Sequence, residues 1–189
     1  MLFRTLAYVS LGWLLMAAVP AFASRVGLTV MLPATTAVLL AHLAFSRKGS
    51  LPWALAVATG LGYLEDLHQG APLGTLALAH GLTFLGLRWA AARIALRGIV
   101  SRAMAGLVTI VAVDLCTFAT LVLLADGLGF SRDSLLHSLW EVRWHVLATG
   151  LVAHPVWLLT DRVFQLLRLD KPRPGEEAEP AGRPSVVGK

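Results

Sequence analysis

Two acids stand side by side in a strongly apolar stretch, Glu65 and Asp66, and a glycine–proline turn follows at Gly70, Pro72 and Gly74. A carboxylate beside lipid is costly unless something pairs or caps it, so its presence there asks for a purpose. The turn is short enough to force a tight helical hairpin. Pro72 suits the first turn of the second helix, where its missing N–H would be unpaired anyway. Gly70 can take a backbone turn that other residues avoid. Asp66 is then placed to accept hydrogen bonds from the bare N–H groups that open the second helix. Direct contact with a partner is the other use of this acid, and both stay open at this stage.

Asp114 falls near the middle of another apolar segment. An ionisable group there is a functional candidate by default and needs partners, for which His80 and His154 are the nearest in depth. An interhelical hydrogen bond that fixes packing is the simpler reading than proton or substrate chemistry. His42, His80, His154 and Asp114 come from four different segments. No two histidines are spaced as ligands on one helix face, and no H-E-x-x-H occurs, so no metal is expected. No G-x-S-x-G elbow occurs either, and Ser46, Ser50, Ser101, Ser131 and Ser134 sit at segment ends or in loops. The one cysteine, Cys116, excludes an internal disulfide. Phosphate-binding and dinucleotide fingerprints are missing too. The expectation is a protein with no catalytic residues and no cofactor.

The elements that carry these residues follow from composition. The chain is 57% hydrophobic and only 14% charged, against about 25% charged in soluble domains. The apolar residues fall into six blocks, roughly 2–22, 26–45, 51–67, 73–92, 103–124 and 139–166. Each approaches the length of about 20 residues that crosses a bilayer as a helix. The expected fold is all-α, a polytopic bundle of six transmembrane helices over 1–169. The last block holds Pro155, a site for a kink. A tail over 170–189, rich in proline and glutamate, is expected to be disordered in the cytoplasm. The first block ends in Ala21-Phe22-Ala23, a pattern shared with signal peptides, though a retained first span is the preferred reading.

Net charge is +5, and its distribution sets the orientation. With six spans, Arg4, Arg47, Lys48, Arg88, Arg93, Arg97, Arg102, Arg162, Arg168, Lys171 and Arg173 share one side. Arg25, Arg132 and Arg143 take the other. The positive-inside rule then places both termini in the cytoplasm. Membrane topology accounts for this charge better than nucleic acid does, since basic and aromatic residues do not interleave. The basic loop holding Arg88, Arg93, Arg97 and Arg102 has an amphipathic look that suits anionic lipid or a cytoplasmic partner. Setting topology is its simpler role. Ala56 with Gly60, and Ala77 with Gly81, are small-residue pairs that predict close helix packing.

The pattern Gly62-x3-Asp66-x3-Gly70-x-Pro72-Leu73-Gly74, beginning on the third segment and opening the fourth, resembles the signature region of MreD, the bacterial rod shape-determining membrane protein. The match covers about residues 57–90. The basic loop after the fourth segment and the closing Asp161-Arg162 are similar as well. One departure lies at Pro33, where relatives often have a following acid and this chain has Ala34. The resemblance implies a fold similar to substrate-binding subunits of energy-coupling-factor transporters. It also implies a non-enzymatic scaffold of the cell-elongation complex in the bacterial inner membrane, supporting peptidoglycan synthesis and cell shape. The implied partners are an MreC-like scaffold, a RodA-like glycan polymerase and a class B penicillin-binding protein, with MreB filaments reached indirectly. The rival is a vitamin-type uptake subunit of an energy-coupling-factor transporter, with Glu65, Asp66, His68, Arg132 and Glu141 around an outer pocket.

Overall fold

Pro33 decides where the second helix begins. The residue before a proline is steered away from helix, and the chain turns helical only after it, with the Thr35 N–H reaching the Pro33 carbonyl at 3.1 Å. In the computed structural model the helices are α1 (Leu2–Val26), α2 (Thr35–Ser46), α3 (Leu51–Gln69), α4 (Thr75–Ala91), α5 (Gly98–Leu128) and α6 (Arg132–Leu166). The structure describes residues 1–27, 32–46, 49–94, 96, 98–128, 132–167 and 169, with side chains omitted for 124–128 and 132–142. Strands are absent among the described residues, so the protein is all-α.

The block over 26–45 is thus helical over fewer residues than expected. Its helix has 12 residues, a length of about 18 Å, which covers part of a ~30 Å hydrocarbon core. All residues from Thr35 to Ala44 are buried, and α2 packs against each of the other five helices. It is the central post of the bundle. The fifth and sixth helices are longer than the apolar blocks that announced them, and α6 runs through Pro155. By length and composition, α1 and the Gly98–Leu123 part of α5 are long and apolar enough to cross a membrane. The tail over 170–189, Arg47, Lys48, Arg97 and Arg168 lie outside the described residues.

The α3–α4 hairpin has the closest seam. A Cβ built on Gly62 would sit 2.4 Å from the Leu76 carbonyl oxygen and 2.8 Å from the Ala77 Cα. Only a residue with no side chain lets the two backbones touch there. One turn further along α4, a Cβ on Gly81 would meet the Thr59 methyl at 2.9 Å, so Ala77 and Gly81 do line the seam. The other small pair does not behave as expected. Ala56 is exposed and a Cβ on Gly60 meets nothing within 4 Å. Gly81→Ala should therefore lower stability by about 1 kcal/mol, while Gly60→Ala should be neutral or mildly stabilising. Paired thermal unfolding curves in detergent read the difference, and equal midpoints would contradict it.

Candidate functional site

The hairpin loop is built around one carboxylate. Gly70 closes α3 with φ 69°, and Gly74 stands before α4 with φ 94°. Between them the chain reverses, and Asp66 from the last turn of α3 reaches across to the start of α4. Its Oδ2 accepts the Gly74 N–H at 2.9 Å and the Ala77 N–H at 3.2 Å, and its Oδ1 accepts the Leu76 N–H at 2.9 Å. Asp66 is fully buried. It thus supplies from a neighbouring helix what an N-cap residue ordinarily supplies from its own chain position, since Gly74 has no side chain to do so. The helix-end partial charge favours the carboxylate in the same place. Pro72 is not in the first turn of α4, as the sequence implied. It lies in the turn ahead of the cap, and its carbonyl accepts the Thr75 N–H at 3.1 Å. Leu73 beside it is 67% exposed, which makes it the apolar tip of the hairpin.

Glu65, one residue earlier, has a different role. Its Oε2 accepts the Thr36 hydroxyl at 2.7 Å and lies 3.3 Å from His80 Nε2, and its Oε1 accepts the Gln69 amide at 2.8 Å. His80 Nδ1 is 2.9 Å from the Leu76 carbonyl, which has no proton to give, so this nitrogen carries one. His80 Nε2 faces Glu65 Oε2 at ion-pair distance without forming a hydrogen bond among the described residues. α2, α3 and α4 are tied together through this one buried acid.

His80 therefore pairs with Glu65 and not with Asp114. His80 and Asp114 do line the same small cavity of about 50 Å³, with Glu65, Gln69 and His145. Among the described residues, Asp114 Oδ2 and His154 Nδ1 have no hydrogen-bond partner. Sequence reasoning named Glu65 but not its bond to Thr36, and it missed His145, bonded through Nδ1 to the Leu32 carbonyl. Glu65 and Gln69 stand four apart on one helix face, a spacing that could have flagged them. A wider recess of about 390 Å³ adjoins this cluster, bordered by Met16, Pro33, Glu65, His68 and His145.

A second polar chain ties the opposite end. The Tyr8 hydroxyl is 2.8 Å from His42 Nδ1, and His42 Nε2 is 3.0 Å from Asp161 Oδ1. Arg102 Nη2 approaches Asp161 Oδ2 at 3.8 Å. Arg88 donates to the Ala44 carbonyl at 3.1 Å. Arg93 stacks on Trp89 at 3.7 Å. Arg97 lies outside the described residues. No group of three or more His, Cys, Asp or Glu among the described residues is placed to hold a metal ion.

Fold and site together define an all-helical bundle with a carboxylate-capped hairpin and an ionisable interior. No known protein family, curated protein or solved structure matches the chain.

Proposed function

We propose that this chain is a six-span, MreD-like membrane subunit, a non-enzymatic scaffold of the bacterial cell-elongation complex that acts through an MreC-like partner. One observation carries the reading. The positions that carry the resemblance, Gly62, Asp66, Gly70 and Gly74, act together in one structural unit, the α3–α4 hairpin. They build shape rather than reactivity, which is what a scaffold requires. Leu73 at the tip and the exposed apolar residues of the hairpin, Leu67, Leu78, Leu82 and Leu85, offer a face for a partner's membrane helix.

Two further features support membrane insertion with six crossings. On α5, Met104, Val108, Val111 and Leu115 are exposed at helical spacing, and Leu147, Leu151 and Leu158 are exposed on α6. Such outward apolar stripes suit lipid and do not suit water. Arg4, Arg93 and Arg102 border one cavity at the end where α1 begins and α6 finishes, in keeping with cytoplasmic termini. A crosslinked membrane pull-down read by mass spectrometry tests the function. It should recover MreC-like, RodA-like and penicillin-binding proteins, with MreB reached only through them.

The recess of about 390 Å³ favours a second reading, a vitamin-type uptake subunit of an energy-coupling-factor transporter. Glu65 and His68 border that recess. Asp66 does not, because the α4 cap occupies its carboxylate. The side chains of Arg132 and Glu141 lie outside the described residues. Recovery of a cytoplasmic ATPase pair in place of elongation proteins would reject the scaffold and support uptake.

A further inference from the structure

A half-open cavity of about 550 Å³ lies at the arginine-rich end, bordered by Arg4, Arg93 and Arg102. Mostly uncharged groups hold these guanidiniums in place. Arg4 donates through Nε and Nη2 to the Leu169 carbonyl at 3.1 and 2.6 Å. Arg93 lies 3.7 Å over the Trp89 ring and donates to the Trp89 carbonyl at 3.3 Å. Arg102 lies 5.8 Å from the Trp157 ring centre. Among the described residues the cavity wall holds one carboxylate, Asp161, which lies 3.0 Å from His42 and 3.8 Å from Arg102. The arginines are thus oriented by the protein, and one acid shared with His42 offsets only part of their three charges.

That combination suits an incoming anion. A concave site with apolar walls concentrates the field of its charges. The planar guanidinium fork matches the oxygens of a phosphate and is already positioned, so little side-chain freedom is lost on binding. The volume falls within the range of ordinary ligand sites. Phe45, Ile94 and Trp157 also line the space, which fits a ligand with an apolar part next to its charge. We infer that this cavity binds a phosphate-bearing group, carried by an anionic lipid headgroup or by a soluble phosphate ester. The inference rests on the membrane placement proposed above and not on the identity of any protein partner.

The test uses the full chain in detergent micelles, titrated separately with dioleoyl phosphatidylglycerol, dioleoyl phosphatidylcholine and sodium phosphate, and read by thermal unfolding. Phosphatidylglycerol should raise the unfolding midpoint above the phosphatidylcholine control. Arg93→Gln and Arg102→Gln should each weaken that response about tenfold. Arg162→Gln removes the same charge from an exposed residue that does not line the cavity, and should leave the response intact. A rise with sodium phosphate alone identifies a soluble phosphate ester as the source, and a rise only with phosphatidylglycerol identifies the lipid. Equal midpoints with the two lipids and no effect of phosphate overturn the proposal. Equal weakening by Arg162→Gln overturns it as well, by reducing the effect to bulk charge. Neither result touches the scaffold reading, which stands or falls on partner recovery.

Discussion

Gly62→Ala should open the α3–α4 seam and cost the folded bundle about 3 kcal/mol, the upper end of what overpacking does. The added Cβ would meet the Leu76 carbonyl oxygen at 2.4 Å and the Leu76 carbonyl carbon at 2.7 Å. These are backbone atoms, so no rotamer change relieves the clash and one helix has to move. Alanine also gains about 1 kcal/mol of helix propensity over glycine, which offsets part of the loss and makes the substitution a stringent test. The measurement is the thermal unfolding midpoint of purified protein in detergent, together with its abundance in membranes. An unchanged midpoint would mean that α3 and α4 do not lie this close.

Asp66→Ala should be comparably severe, with a loss of about 3 kcal/mol. It removes the acceptor for the Gly74, Leu76 and Ala77 N–H groups, and the fully buried side chain leaves no ready path for water to replace it. Asp66→Asn should recover only part of the loss, because its amide NH₂ would point donors at donors. The two lesions act on one seam. Gly62→Ala combined with Asp66→Ala should therefore cost less than the sum of the single changes. Strict additivity would show that the cap and the close approach are independent. Recovery of partners should fall with hairpin stability in both variants, and normal abundance and partner recovery in Asp66→Ala would remove the hairpin from the scaffold argument.

The hairpin was legible in sequence because glycine, aspartate and proline are conspicuous in an apolar context and act over a few residues. Its detail was less so. Pro72 fits a helix start by its own chemistry, but Gly74 with φ 94° moves that start downstream. The short α2 was hidden because hydropathy continues smoothly through Val30 and Met31 into Ala34. Pro33 was the signal that the helix begins late. The pairing of His80 could not be read from depth alone: Asp114 lies at a plausible level, yet Glu65 on the adjacent helix has the geometry. The Tyr8–His42–Asp161 chain joins residues 34 and 119 positions apart, with no local pattern to announce it.

The buried α2 has a consequence for biogenesis. On the membrane placement proposed above, a helix this short is held weakly by lipid alone, and it leaves the ribosome second. The groups that satisfy its polar side chains arrive later: Glu65 for Thr36 comes 29 residues on, and Asp161 for His42 comes 119 residues on. Until α6 is made, His42 has its tyrosine partner but no acid. Assembly of this bundle is therefore end-loaded: the segment at its centre reaches its final surroundings only when the last helix closes over it, and a chain halted before α6 leaves that centre uncovered.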